Sequence, residues 1–108
     1  MQVVVKRSLW LRGATGGRLA HAWKKENYRY CILGFVGLAC GVPADEMVGR
    51  GYPYHCTQYA EKWPKWALRK DVRDIVTIND RDTMDDHERE VRLATQLLKH
   101  GAIVQFID

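Results

Sequence analysis

Cys31 is the side chain whose type and position best suit nucleophilic chemistry. A thiol becomes reactive when a helix N-terminus or a nearby cation lowers its pKa. Cys31 opens the apolar run CILGFVGLAC, with Arg29 two residues before it. A nucleophile also needs a base, and His21, His55, His87 and His100 are scattered without a context that sets any of them beside the thiol. The expected role of Cys31 is therefore in the core. A cysteine enzyme using Cys31, with Asn79 or Asp80 near it, is the alternative.

The other candidate ligands point away from metals. Cysteines 31, 40 and 56 show no CxxC spacing and are odd in number, which fits a reducing compartment better than a disulfide scaffold or a zinc ribbon. Only His55 and Cys56 are adjacent soft ligands, and a zinc site needs four donors. Asn79-Asp80-Arg81-Asp82 gathers carboxylates but lacks the glycine and glutamate of a calcium-binding loop. Its simpler role is to satisfy orphan backbone groups where one helix ends and the next begins. Neither GxxxxGK[ST] nor GxGxxG occurs. No metal and no cofactor are expected.

The third constellation interleaves rings with cations: Trp10 with Arg12, Trp23 with Lys24 and Lys25, Tyr28 and Tyr30 around Arg29, and Trp63 and Trp66 among Lys62, Lys65 and Arg69. Stacking plus charge neutralisation is what holds nucleotides and nucleic acids. Residues 1–30 carry Lys6, Arg7, Arg12, Arg18, Lys24, Lys25 and Arg29 against the single acid Glu26, whereas residues 71–108 are predominantly acidic. So uneven a +4 chain can present a basic face to an anionic partner. The residues expected to make that contact are Trp10, Arg12, Trp23, Lys24, Lys25, Arg29 and Tyr30.

These side chains need a scaffold. At 108 residues, 46% of them hydrophobic and 28% charged, the chain has the composition of one globular domain. No run of about 18 apolar residues is present, so a soluble, cytoplasmic protein without a membrane partner is expected. QVVVKRSLWL reads as a strand, and the glycine-rich 12–17 stretch as a turn. Residues 18–27 suit either a short helix or a second strand.

From Tyr30 to Cys40 apolar residues fall on every side, the pattern of a buried helix. Cys31 and Gly34 on its small-residue stripe permit close backbone approach, Gly41 supplies the left-handed end, and Pro43 prevents continuation. A short helix follows Pro43, and a turn and a helix surround the two tryptophans at 63 and 66. Val72, Ile75, Val76 and Asn79 mark an amphipathic helix ending near Asn79-Asp80. Thr83 is the expected cap of a last helix running to about Lys99, with His87, Val91, Ala94 and Leu98 inward, Leu97 beside them, and Arg89 in water. AIVQFID closes the chain as a strand pairing with the first. The expected fold is α+β: a small sheet of the two terminal strands, packed with a buried central helix and a C-terminal amphipathic helix.

The order LWLRG at 9–13, YCILGFVGLACGVP at 30–43, a central WPKW, IVTIND at 75–80 and a closing IVQFID resembles a set of small uncharacterised phage and prophage proteins. Their pattern is a Cys-Cys-Leu-Gly-Phe segment, a small-residue helix ending in Cys-Gly, and a downstream Asn-Asp. Cys31, Leu33 and Gly34 match the first element, Cys40 and Gly41 its end, and Asn79 and Asp80 the pair, while Tyr30 stands in place of the first cysteine. The resemblance implies a viral accessory protein in the host cytoplasm, of the kind that blocks a host defence or regulatory factor or sequesters a signalling nucleotide. Binding to a host protein or a small anionic nucleotide, without catalysis, is the expected function. Nucleic-acid binding through the basic aromatic half is an alternative, and a homo-oligomer is compatible with either.

Overall fold

The computed structural model describes residues 1–22, 28–69 and 72–108. Trp23, Lys24 and Lys25, expected at the binding face, lie outside the described residues, as does Lys70.

Strand β1 (Gln2–Lys6) alternates as its sequence predicts: Val3 and Val5 are fully buried, and Gln2, Val4 and Lys6 point outward. It pairs in parallel with β4 (Ile103–Ile107), with Gln2 opposite Ile103 and Lys6 opposite Ile107. The two chain ends are thus joined in one two-stranded sheet, begun by a bond from the Ile103 amide to the Met1 carbonyl at 2.8 Å. The architecture is α+β, as expected.

A second pair, β2 (Ala20–Ala22) and β3 (Tyr28–Tyr30), is antiparallel and sets His21 opposite Arg29. Of the two readings open for residues 18–27, the strand is the one that forms over 20–22.

Helix α1 (Ile32–Ala39) is the core's centre, buried from Ile32 through Gly37. It begins two residues later than expected because Tyr30 and Cys31 have other backbone partners. The Tyr30 carbonyl accepts from the Leu11 amide at 2.7 Å, and the Cys31 amide donates to the Leu19 carbonyl at 3.1 Å. These bonds hold Cys31 extended, and the helix starts after it. A Cβ at Gly34 would fall on the Leu19 carbonyl oxygen, so the small residue does permit a close backbone approach. Gly41 closes the helix at φ +86°.

Helix α2 (Ala44–Met47) follows Pro43. Around the two tryptophans the described residues form a 3₁₀ turn, Lys65–Leu68, in place of the expected helix, with Trp63 buried before it and the Trp66 ring stacked on His100 at 4.7 Å. Helix α3 (Arg73–Asp80) buries Ile75 and Asn79 on the face its spacing marks.

Helix α4 (Asp86–Leu98) departs from expectation in its cap and its rotation. Its cap is Asp85, whose carboxylate accepts from the Glu88 amide at 2.9 Å, in place of Thr83. Its buried residues are Arg89, Leu93 and Leu97, at successive i+4 steps, while Val91 is 54% and Leu98 61% exposed and His87 lies in water. The sequence offers two apolar stripes. Arg89, expected in water but anchored to three carbonyls, selects the stripe of Leu93 and Leu97 over that of Val91 and Leu98.

Candidate functional site

Trp10, Asn79 and Asp80, singled out from the sequence, meet at one buried polar knot. Asn79, 1% exposed, sits in the last turn of α3 and spends its side chain on two other segments and on its own neighbour Asp80. Its Oδ1 accepts from Trp10 Nε1 at 2.9 Å and from the Ile32 amide at 3.1 Å, and its Nδ2 donates to the Leu11 carbonyl at 3.0 Å and to Asp80 Oδ1 at 2.8 Å. The Ile32 amide is the first N–H of α1, one of the donors a helix leaves without an internal partner. The capping expected of Asn79 is thus real, but it serves α1 and not the helix ends beside it in sequence.

Trp10 and Tyr30, expected to stack a ligand, are core residues at 4% and 7% exposure. The Trp10 ring lies 5.1 Å from Phe106, and Arg12 lies over it at 4.5 Å. Tyr30 packs on Phe35 at 5.3 Å, where burial pushes its phenol up. Arg12 is turned inward: Nη1 donates to the Arg7 and Trp10 carbonyls, and Nη2 pairs with Asp86 at 3.0 Å, which holds that carboxyl below its ordinary range.

Arg89 completes this region beneath Arg12. At 2% exposure it donates to the carbonyls of Ile78, Asn79 and Met84 at 3.0, 2.8 and 2.7 Å, with a longer bond to Asp86. Its planar fork matches several fixed acceptors at once, and that offsets the cost of burying a charge. Sequence reasoning missed Arg89 because nothing local distinguishes it from the solvated arginines around it.

Cys31 does come close to Asn79 and Asp80, as the enzyme alternative requires. The space they enclose with Val76 and Arg18 is only about 10 Å³, too small for a substrate. Burial pushes the Cys31 thiol up to about 12, the Asp80 carboxylate adds to the rise, and the amides of Gly34 and Leu33 offset only part of it. The environment suppresses the thiolate that nucleophilic chemistry needs. Cys40 and Cys56 are also raised by burial.

A different face gathers basic groups, Arg18 and Arg29 exposed and His21 half-buried. His21 and Arg29 are opposed across β2 and β3, so both side chains project from the hairpin face opposite Ala20 and Tyr30. Arg18 Nη1 lies 3.2 Å from His21 Nδ1. Arg18 and His21 border an open depression of about 300 Å³, completed by Leu11, Ala14, Thr15 and Gly16. Arg29 was expected in the site. Arg18 and His21 were not, although the period-two spacing within a hairpin is the signal that joins His21 to Arg29.

Among the described residues no three of His, Cys, Asp and Glu gather as metal ligands, and no helix is long and apolar enough to cross a membrane. No protein-family model, curated protein or solved structure matches the chain.

Proposed function

We propose that the chain is a phage or prophage accessory protein that acts by binding, without catalysis, and that its hairpin face, Arg18, His21 and Arg29, holds an acidic surface of a host defence or regulatory protein. The observation that carries this reading is that Arg18 and His21 border an open depression, with Arg29 opposite His21 on the same hairpin face. Lys24 and Lys25 add to the positive charge of the intervening sequence. Between a protein partner and a signalling nucleotide, the burial of Trp10 and Tyr30 favours the protein, because the two rings best suited to stack a base are committed to the core.

The test is thermal unfolding and direct titration of the full chain with three probes: polyglutamate as an acidic peptide, a panel of nucleotides and cyclic dinucleotides, and short single-stranded DNA. Polyglutamate is expected to bind and to weaken as salt rises. The double substitution Arg18→Glu with Arg29→Glu is expected to abolish binding without changing the melting temperature. Binding of a nucleotide alone converts the reading to sequestration, and binding of DNA alone with a steep salt slope converts it to nucleic-acid recognition. No binding to any probe, or binding indifferent to the charge reversal, overturns the assignment of this face.

A further inference from the structure

Helix α4 carries a second apolar stripe that the fold leaves uncovered. Val91 and Leu98, one on each side of Thr95, are 54% and 61% exposed. The Thr95 hydroxyl donates back to the Val91 carbonyl at 2.9 Å, which satisfies its polar atom within the helix and leaves its methyl group to the stripe. Beside it runs a groove of about 180 Å³ lined by Ile78, Val91, Arg92, Thr95 and Gln96.

The charges around the stripe identify what fits it. Asp85 and Glu88 are exposed at the N-terminal end of α4, Glu88 also pairing with Arg92 at 2.8 Å, and Lys99 is exposed at its C-terminal end. A helix acidic at one end and basic at the other complements an antiparallel copy of itself, and the opposed helix dipoles reinforce that direction. The apolar positions have the same symmetry: about a two-fold axis between Ala94 and Thr95, Val91 of one copy faces Leu98 of the other. Each Leu98 is then brought to the groove of the opposite copy, twice over, as an isologous contact requires.

We propose that a second copy of the chain docks here, α4 against α4 in antiparallel orientation. The surface is separate from the hairpin face assigned above. A pair of helices this short buries less than the roughly 1,200 Å² of a standard interface, so the dimer is weak and concentration-dependent.

Analytical ultracentrifugation of the full chain, with cysteines reduced, tests this from about 5 to about 500 µM, the range in which a micromolar constant is read. The weight-average mass is expected to climb toward that of two chains. Leu98→Lys and Val91→Glu should each weaken association about tenfold or more, as at a central interface residue, with unchanged circular dichroism. Glu88→Lys and Lys99→Glu should each weaken it, and the double charge exchange should restore it. The mass of one chain throughout the range, a dimer indifferent to Leu98→Lys, or a double exchange no tighter than the single changes overturns the proposal.

Discussion

Trp10 Nε1 donates to Asn79 Oδ1 at 2.9 Å across 69 positions of sequence, and both residues are buried. The same oxygen takes the first amide of α1, while the amide nitrogen of Asn79 holds the Leu11 carbonyl. One side chain therefore ties the segment after β1, the central helix and the end of α3 together. A carboxamide is suited to this because it offers donors and acceptors without a charge to desolvate.

Replacing Asn79 with alanine strands the Trp10 indole N–H, the Ile32 amide and the Leu11 carbonyl in the interior. Unpaired buried groups cost about 1–3 kcal/mol each and are not additive, so a loss of about 3–5 kcal/mol is expected in urea unfolding. Trp10→Phe removes one donor and leaves Asn79 Oδ1 bonded to Ile32, so its hydrogen-bond loss should be smaller, about 1–2 kcal/mol. A loss below about 1 kcal/mol for Asn79→Ala would show that these bonds do not hold the three segments.

Cys31 should resist alkylation. With its thiol pushed up to about 12 and its side chain buried, iodoacetamide should label it at the rate of global unfolding. Labelling of native protein that titrates near the ordinary thiol value of about 8.5 would revive a reactive cysteine. The raised value also carries a stability consequence. The unfolded thiol ionises near its ordinary value and the folded one only near 12, so this contribution is intact below the former and lost as pH rises toward the latter. Cys31→Ala should remove that alkaline component of the loss.

What was legible in the sequence was local. A run of apolar residues ending at Gly41 marks α1 whatever surrounds it, and alternation in QVVVK marks β1. The polar centre was half legible. Asn79 and Asp80 were recognisable as a capping pair, but the backbone donor that Asn79 caps belongs to α1, brought there only by the fold, and Asp80 holds the Asn79 side-chain amide. Arg89 shows the limit more sharply. An arginine on an amphipathic helix is ordinarily solvated, and only three carbonyls from residues 78, 79 and 84 make its burial favourable. Because Arg89 fixes the rotation of α4, the same distant contacts decided that Val91 and Leu98 face outward.

Gly34 within α1 and Gly41 just beyond its end should respond differently to alanine. At Gly34 the added methyl meets the Leu19 carbonyl, a backbone atom held by the β2 connection, so helix and strand must separate. Such overpacking costs about 1–3 kcal/mol, offset only in part by alanine's helix preference of about 1 kcal/mol. At Gly41 nothing lies within reach of a Cβ, and the cost is that of a left-handed conformation at φ +86°, about 1 kcal/mol. Thermal unfolding of the two variants separates them: Gly34→Ala should be the less stable, and the reverse order would mean that the α1–β2 contact yields easily.

The Arg12–Asp86 pair gives the acid side of the stability profile a defined sign. Arg12, helped by Arg89, holds the Asp86 carboxyl below its ordinary range, so the folded state favours the ionised form. The stabilisation is complete above the unfolded carboxylate value of about 4 and fades as pH falls through the lower folded value. Asp86 is half exposed, which limits the pair to about 1 kcal/mol or less. Asp86→Asn should therefore be slightly less stable than the parent at pH 7 and converge with it in acid. A constant difference across the acid range would assign the effect of Asp86 to packing at the first turn of α4 and not to its charge.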